Sequence, residues 1–546
     1  MSRLRSPDSR ASFGAPGPSS ATGRFTAAGL SAAAVVVLAL VAGLWLRLDR
    51  LDLRPMHNDE ANQAIKFGEL LEHGEYVYDA FDHHGPTLYY LTLPVAWLRG
   101  QATLAALDEW TLRGVPVAFG VATILLAALL PATLGRTAGP AAALLTAVSP
   151  AMVFYSRMYI QEAMFAAFAL AFVLALGRGL TTGGPRWAGV AGAAAGLTIA
   201  TKETWVLVLP GALAACALAW WSLGPARAVA APGAAGWRRA GLVCAGIALV
   251  IAALFYSSFL AHPSAILDPF RAAPTYVQRG VDPTAHVHPW HYYLGLLTWS
   301  SSGGLWWTEA PVLVLAAIGA AAAWGRPDPL RPEAAFWQRY IATYALLTLA
   351  VFSAIPYKTP WNLVPFYAAL LATAGIGVAV LVRAATARTA QVALAALLIV
   401  AAAHLSGQAR RAAVQYGADP RNPYVYAQTV PDAVRMASRI RDLAALHPDG
   451  LRMLVMVVAP PHEQWPLPWY LRTMPNVGYW TDAKDLPAGT GPVVVASMEN
   501  ADRLDATLGE RYVSELCGVR PDVLVALYVE RGLWDRFLAR AALGGT

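Results

Sequence analysis

Two adjacent carboxylates, Asp59 and Glu60, come directly after the first long apolar segment of the chain. The residues after them, 61–73, have an amphipathic pattern, so the pair would lie at the N-terminus of a helix. Helix capping, which favours acids in the first turn, is the simple explanation. It accounts well for one acid and less well for two at the mouth of a membrane segment. A carboxylate within reach of a hydroxyl can act as a general base, so we expect Asp59 and Glu60 to be catalytic.

Lysine is rare in this sequence, which makes each lysine informative. Only four occur among 41 basic residues. Lys202 lies in a Thr-Lys-Glu-Thr-Trp segment between two apolar runs, and Lys358 lies in a Pro-Tyr-Lys-Thr-Pro-Trp segment beside another. Charged groups at such places are costly and are usually paired or functional. The alternative is that Lys202 and Glu203 only mark a turn and extend to the lipid headgroups.

Two further polar segments could contribute to a site. Residues 78–86 contain Asp82 beside the adjacent histidines His83 and His84. Such groups could hold a divalent metal, or they could hydrogen-bond a phosphate or a sugar hydroxyl, and the sequence requires no cofactor. Arg157 and Glu162 link two apolar runs, either as part of a site or as a structural ion pair.

The composition shows what must position these residues. Of 546 residues, 57% are hydrophobic and 14% are charged, against roughly 25% charged in soluble domains. Apolar runs of about 20 residues can cross a bilayer as helices. We therefore predict an α-helical polytopic membrane protein with about 11 transmembrane helices. The mild net charge of +7 implies no nucleic acid, and the three scattered cysteines have neither disulfide nor metal spacing. The predicted spans lie near 25–46, 112–134, 139–154, 163–177, 187–200, 205–222, 240–260, 310–324, 340–355, 361–382 and 390–406.

Charge asymmetry gives an orientation and a division into domains. Arginines collect in alternate loops and acids in the opposite loops, which by the positive-inside rule places the N-terminus in the cytoplasm of a multi-pass cell-membrane protein. A disordered cytoplasmic tail (1–24) precedes the transmembrane domain (25–406), whose long outer loops are 47–111 and 261–309. Residues 407–546 alternate short β-branched runs, near 454–458, 493–496 and 523–529, with helical patterns, which predicts a small extracytoplasmic α/β domain.

The order and spacing of these motifs resemble the GT-C fold membrane glycosyltransferases, specifically the protein O-mannosyltransferase and aminoarabinose transferase-like superfamily (glycosyltransferase family 39-like). The most similar branch is the prokaryotic one associated with flippase activity in protein glycosylation. One departure is histidine near the second motif, where the superfamily often has a basic residue. The strings that carry the resemblance are HNDEA (57–61), HHGPTLYY (83–90), SR with E (156–157 and 162), KETW (202–205), YKTPWN (357–362) and WPLPWYLR (465–472).

The resemblance implies transfer of a sugar, which we expect to be a hexose, from a polyprenyl-phosphate donor to a hydroxyl of a protein, lipid or glycan acceptor. The reaction would be an inverting single displacement at the outer membrane face, with Asp59 as base. A lipid-linked sugar flippase, or a flippase-associated accessory protein whose C-terminal domain binds a partner, remains the alternative. Under the enzyme hypothesis the donor-phosphate ligands are Arg157, Lys202, Lys358, His83 and His84, and the other substrate contacts are Asp82, Tyr89, Glu162 and Glu203.

Overall fold

The computed structural model describes residues 27–79, 84–224, 234–281, 286–325, 331–487 and 489–544. The predicted tail 1–24 lies outside these residues. The α-helices before the C-terminal domain are α1 (Ala27–Leu48), α2 (Asn58–His73), α3 (Thr87–Leu98), α4 (Glu109–Ala128), α5 (Ala138–Val148), α6 (Pro150–Tyr155), α7 (Glu162–Thr182), α8 (Arg186–Ile199), α9 (Trp205–Ser222), α10 (Ala234–Tyr256), α11 (Asp268–Val281), α12 (Tyr292–Thr298), α13 (Ala310–Trp324), α14 (Pro332–Ala354), α15 (Val364–Ala384) and α16 (Arg388–Arg410).

Each of the eleven predicted spans coincides with helix in the structure. Within the described ranges, 7 helical segments are long and apolar enough to cross a membrane by length and composition. The α5 and α13 helices are apolar but shorter than a full span. The membrane-embedded, mostly helical fold is therefore confirmed, and the number of eleven crossings stays a prediction.

The α15 helix forms the centre of the helical domain because its neighbours come very close to it. In the apolar segment that contains it, Pro360–Ala384, 94% of the residues in an 18-residue stretch are buried. The contact between α13 and α15 depends on Gly319 and Gly377, because a Cβ at Gly377 would lie 2.0 Å from the Leu315 carbonyl oxygen. Small residues allow such helix contacts inside a membrane, where close packing replaces the hydrophobic effect.

The C-terminal domain is a five-stranded mixed sheet flanked by helices. The predicted strands near 454–458, 493–496 and 523–529 are present, and the structure adds two strands that the sequence reading missed. The strands of the sheet are β3 (Val455–Val458), β4 (Val477–Trp480), β5 (Val493–Ser497), β6 (Tyr512–Arg520) and β7 (Val523–Glu530), and a short hairpin of β1 (Ser300–Ser302) and β2 (Leu305–Trp307) precedes them in the chain. The strand order is β4-β3-β5-β7-β6, with β3 parallel to β4 and β5, and β7 antiparallel to β5 and β6.

The helices of this domain are α17 (Pro431–Ala444), α18 (Pro461–Gln464), α19 (Leu467–Tyr470), α20 (Met498–Leu508) and α21 (Arg531–Gly544).

The C-terminal domain packs on the end of the helical domain that is predicted to face outward. Its α19 helix supplies the main contacts. The Tyr470 hydroxyl accepts a hydrogen bond from the Met56 amide (2.7 Å), and the Trp469 indole donates to Glu109 (3.1 Å). Arg472 donates to the Leu107 carbonyl (2.7 Å) and stacks on Trp469. The domain therefore packs directly on the loop that carries the acid pair.

Candidate active site

The start of α2 directs the two acids to different environments. His57 is the N-cap residue: its Nδ1 accepts the Asp59 amide hydrogen (3.0 Å), and the Glu60 carboxylate accepts the His57 amide hydrogen (3.0 Å). This reciprocal pair is a capping box, which satisfies two otherwise orphaned donors. Because Nδ1 is an acceptor, the ring proton is on Nε2, which donates to the Tyr426 carbonyl (2.9 Å).

Glu60 is completely buried and saturated with hydrogen bonds. Arg113 binds both of its carboxylate oxygens (2.8 and 3.0 Å), Arg54 adds a third contact (3.2 Å), and the Tyr159 amide a fourth (2.9 Å). Burial raises its pKa, but the two guanidinium groups outweigh burial and lower the pKa to about 2. In this arrangement Glu60 is a buried counter-ion and not an accessible base. These contacts are those of a residue that positions its neighbours, and the expected catalytic role of Glu60 stays a prediction.

Asp59 points the other way and keeps an accessible carboxylate. Its side chain is 41% exposed, and its carboxylate lies 3.8 Å from His57 Nδ1. Two groups from distant segments interact electrostatically with it. Burial lowers the pKa of Arg520 in the C-terminal domain and of His286 in the second outer loop, and the Asp59 carboxylate acts against burial in both cases. Asp59 thus lies between the helical domain and the C-terminal domain.

Lys202 is held near the acid pair by a chain of contacts. Its ammonium donates to the Glu162 carboxylate, at the first position of α7, and to the Asn362 side-chain oxygen (3.0 Å). The residue before Asn362, Trp361, packs edge-on against the His57 ring at 5.6 Å. The lysine is buried, and Glu162 Oε2 meets no hydrogen-bond donor among the described residues. The Lys202–Glu162 pair is therefore more than a turn at the membrane surface.

The histidine motif docks on the same loop as Lys202. His84 Nδ1 lies 2.7 Å from Glu203, which also accepts from the Tyr78 hydroxyl (3.2 Å). Gly85 makes this docking feasible, because a Cβ there would lie 2.2 Å from the Ala200 carbonyl oxygen. Burial raises the pKa of Glu203, but the His84 imidazole outweighs it, so the pKa is lowered. Asp82 and His83, predicted in the same motif, lie outside the described residues.

Lys358 is hydrogen-bonded to the second outer loop, 261–309. Its amide donates to the His286 carbonyl (2.9 Å), and its ammonium donates to the His288 carbonyl (3.0 Å). His286 Nδ1 in turn lies 2.5 Å from the Tyr426 hydroxyl. The segment 286–288 and the YKTPWN segment therefore form one unit next to Asp59.

Two predicted site residues make structural contacts in this arrangement, and their roles at a substrate stay predictions. Arg157 is buried and donates to the carbonyls of Leu46, Arg47 and Arg50 (2.9–3.0 Å), so it caps the C-terminus of α1. Cations near a helix C-terminus are stabilising because they offset its negative end. Tyr89 is 0% exposed and donates to the Gln63 side chain, which places it in the core and not at a substrate surface.

The sequence reading missed several residues that the structure brings to the site. Arg54 and Arg113 hold Glu60, and Arg520 faces Asp59. Inside the helical domain, without a contact to Asp59 or Lys202 among the described bonds, Glu309 is fully buried and accepts four hydrogen bonds, from Ser149, the Ala151 amide, Tyr367 and Tyr424 (2.7–2.9 Å). An arginine inside the apolar pattern of α4 was the available signal for Arg113, since such a charge needs a partner.

Within the described ranges, no group of three or more His, Cys, Asp or Glu side chains is arranged to hold a metal ion. His84, from the histidine motif in which a metal was considered, contacts Glu203 directly.

Comparison with known proteins identifies the class of this arrangement. Residues 92–232, about a quarter of the chain, match the family described as dolichyl-phosphate-mannose-protein mannosyltransferase. No curated protein matches the chain in sequence. This family match agrees with the class of enzyme predicted from the motifs.

Solved structures show the same fold over nearly the whole chain. ArnT from Cupriavidus metallidurans bound to undecaprenyl phosphate is 18% identical, with a TM-score of 0.61 over 92% of this chain and 98% of that one. The archaeal oligosaccharyltransferase AglB from Archaeoglobus fulgidus, in complex with an inhibitory peptide and a dolichol-phosphate, is 14% identical, with a TM-score of 0.55 over 92% and 76%. The predicted GT-C fold, and the membrane glycosyltransferase class that the family match indicates, are confirmed.

Proposed function

Taking the GT-C fold and the family match as the premise, we propose that the chain transfers a sugar from a polyprenyl-phosphate donor to a hydroxyl acceptor at the outer membrane face. The sugar is expected to be a hexose, and the acceptor a protein, lipid or glycan. The donor class is supported by the two neighbours above, whose structures contain undecaprenyl phosphate and dolichol-phosphate.

The accessibility of Asp59 is the observation that carries the proposal. Glu60, Glu162 and Glu203 have side chains only 0–11% exposed and are each bonded to a cation or a histidine, whereas the Asp59 side chain is 41% exposed. A general base must reach the proton that it removes. Asp59 is therefore the carboxylate that accepts the proton of the acceptor hydroxyl.

The reaction follows as a single displacement with inversion at the anomeric carbon. The acceptor oxygen forms a bond to that carbon while the bond from carbon to the phosphate oxygen breaks, and its electron pair stays on the lipid phosphate. The phosphate is a stable leaving group, so it needs no general acid, but its negative charge grows as it leaves. Fixed cations that bind it more tightly in the transition state lower the barrier. We assign this role to Lys202, Lys358 and His84.

The test is turnover of a labelled polyprenyl-phosphate hexose by purified protein in nanodiscs, with wild type beside Asp59→Asn. Loss of the base should lower the release of polyprenyl phosphate by about 10²–10⁴-fold. The matched control is Asp52→Asn, an exposed acid of the same loop, which should leave the release unchanged. Full turnover by Asp59→Asn would refute the base assignment.

Two further arms complete this experiment. Assays with and without chelator test whether a divalent metal takes part. If several donors remain intact while labelled lipid crosses the bilayer of proteoliposomes, the flippase hypothesis replaces the transferase.

A further inference from the structure

Beneath the C-terminal domain, four buried arginines share few negative charges. Arg47, Arg54, Arg113 and Arg157 are each at most 7% exposed, and the carboxylate that bonds members of this arginine cluster is Glu60. Burial lowers the pKa of Arg157, and the nearby charges of Arg54 and Arg113 lower it further. The cluster therefore has an excess of positive charge, which favours an anion next to it.

Backbone carbonyls satisfy most of these guanidinium groups, but Arg47 and Arg54 each keep a buried Nε without an acceptor among the described residues, and of these two only Arg54 lines a cavity. Arg113 donates to the carbonyls of Leu51, Arg54 and Pro55 (2.8–3.3 Å), and Arg54 donates to the Arg157 carbonyl (2.9 Å). The Nε of Arg54 is buried and meets no acceptor among the described residues. Buried polar groups almost always have a partner, so this one needs an explanation.

Arg54 lines a cavity of about 570 Å³ between the helical domain and the C-terminal domain. This volume is within the usual range of ligand sites, roughly 300–1,000 Å³. One wall comes from the loop after α1, the second from the turn after α16 and the third from α17. The polar lining consists of Arg54, Gln415, Arg435 and Ser438, and most of the remaining lining is apolar.

The cavity lies at the level where helices leave the membrane. Arg410, at the end of α16, pairs with Asp49 just after α1 (2.9 Å) and lies over the Trp45 ring. Tryptophan and arginine at helix ends are typical of the interface between hydrocarbon and water. Leu53, which lines the cavity, is 55% exposed although it is apolar. Lipid headgroups can therefore reach the opening from the bilayer.

We propose that this cavity binds the phosphate headgroup of an anionic membrane lipid, as a site separate from that of the sugar donor. Arg435 is the flexible cation at the opening, since its side chain is 68% exposed and contacts only Asp432 (3.0 Å) among the ion pairs of the described chain. Arg54 supplies the fixed positive field behind it. Phosphate suits this arrangement because the exposed Arg435 guanidinium can bind phosphate oxygens in a directed, charge-assisted manner.

The experiment measures lipid bound to the full chain, in the Asp59→Asn background, so that its outcome is independent of turnover. Protein is reconstituted with phosphatidylglycerol or phosphatidylcholine, and bound lipid is counted by native mass spectrometry. Ser438→Trp places a large ring in the cavity from an exposed helix position and should abolish phosphatidylglycerol binding. Arg435→Gln should weaken it about tenfold, which corresponds to one charge-assisted hydrogen bond. Arg503→Gln, a surface arginine paired with Asp482, is the matched control and should leave binding unchanged.

Soluble glycerol phosphate distinguishes a lipid from a free phosphate ester. Weak competition by glycerol phosphate, with phosphatidylglycerol retained, supports a lipid headgroup. Strong binding of glycerol phosphate without retained lipid would overturn the lipid assignment. Equal retention of phosphatidylcholine, retention in Ser438→Trp, or displacement of the bound lipid by undecaprenyl phosphate would overturn the separate anionic site.

Discussion

Replacement of Glu60 by glutamine should destabilise the protein strongly, because Glu60 is the counter-ion of two buried guanidinium groups. Glutamine keeps the size of the side chain but removes its charge and turns one acceptor into a donor that faces Arg113 or Arg54. Breaking a buried ion pair by removing one partner costs about 3–5 kcal/mol.

The pKa of Glu60 gives a second measure of the same interaction. A lowering from an ordinary 4.5 to about 2 corresponds to about 3 kcal/mol of stability at neutral pH. The pKa is lower in the folded state, so this stability is fully present above about pH 4.5. It is lost as the pH falls from there to about 2. Wild type should therefore lose stability in this window, and Glu60→Gln should lose less there because it has already lost the charge.

The assay measures unfolding of the reconstituted protein, monitored by tryptophan fluorescence, at pH 7 and at pH values from about 4.5 down to about 2. The control is Glu69→Gln on the same helix, where an exposed pair with Lys66 (2.8 Å) should contribute no more than about 1 kcal/mol. If Glu60→Gln unfolds like wild type and yet has no turnover, the positioning role is refuted and Glu60 is a catalytic group after all.

Three further predictions concern the groups around Asp59. Lys202→Met should destabilise the protein by about 3–5 kcal/mol, because it leaves the buried Glu162 carboxylate without its cation. The double variant with Glu162→Gln should regain stability, but it should not regain turnover if the ammonium also faces the donor phosphate. Gly85→Ala should lower turnover by about 10²-fold, because the new Cβ displaces the His84 loop from Ala200, while Gly295→Ala, which has open space around it, serves as the control in the same assay. Arg520→Gln should lower turnover severalfold without changing unfolding, because it removes a cation facing Asp59, and Arg503→Gln should change neither quantity.

The sheet of the C-terminal domain shows which part of the fold the sequence could predict. The three strands that were predicted, β3, β5 and β7, are consecutive and central in the sheet, where both faces are covered and residues are continuously apolar. The two strands that were missed, β4 and β6, are its edges. The β4 strand has only four residues, one of them glycine, and is partly exposed, so it lacks a clear apolar run. The β6 strand is partly exposed and carries charged side chains, so its pattern resembles that of a loop.

The site was predictable in its motifs but not in its pairings. Asp59, Lys202 and the histidine motif were found because charged groups are rare beside apolar runs. The partners could not be found in the same way, because Glu60 is 53 positions from Arg113 and Lys202 is 40 from Glu162. Only the packing of α2 against α4, and of the 202 loop against α7, brings these charges together.

The different side-chain directions of Asp59 and Glu60 follow from helix geometry. Successive residues in an α-helix are rotated by about 100° around the axis, so neighbouring side chains cannot face the same direction. The capping box and Arg113 draw Glu60 into the protein, and this fixes the rotation of the first turn of α2. Asp59 must then point away from the arginine cluster, and its charge acts on His286 and Arg520. An acid pair at this position therefore gives one acid that anchors the helix and one that is held, accessible, at the junction of the two domains.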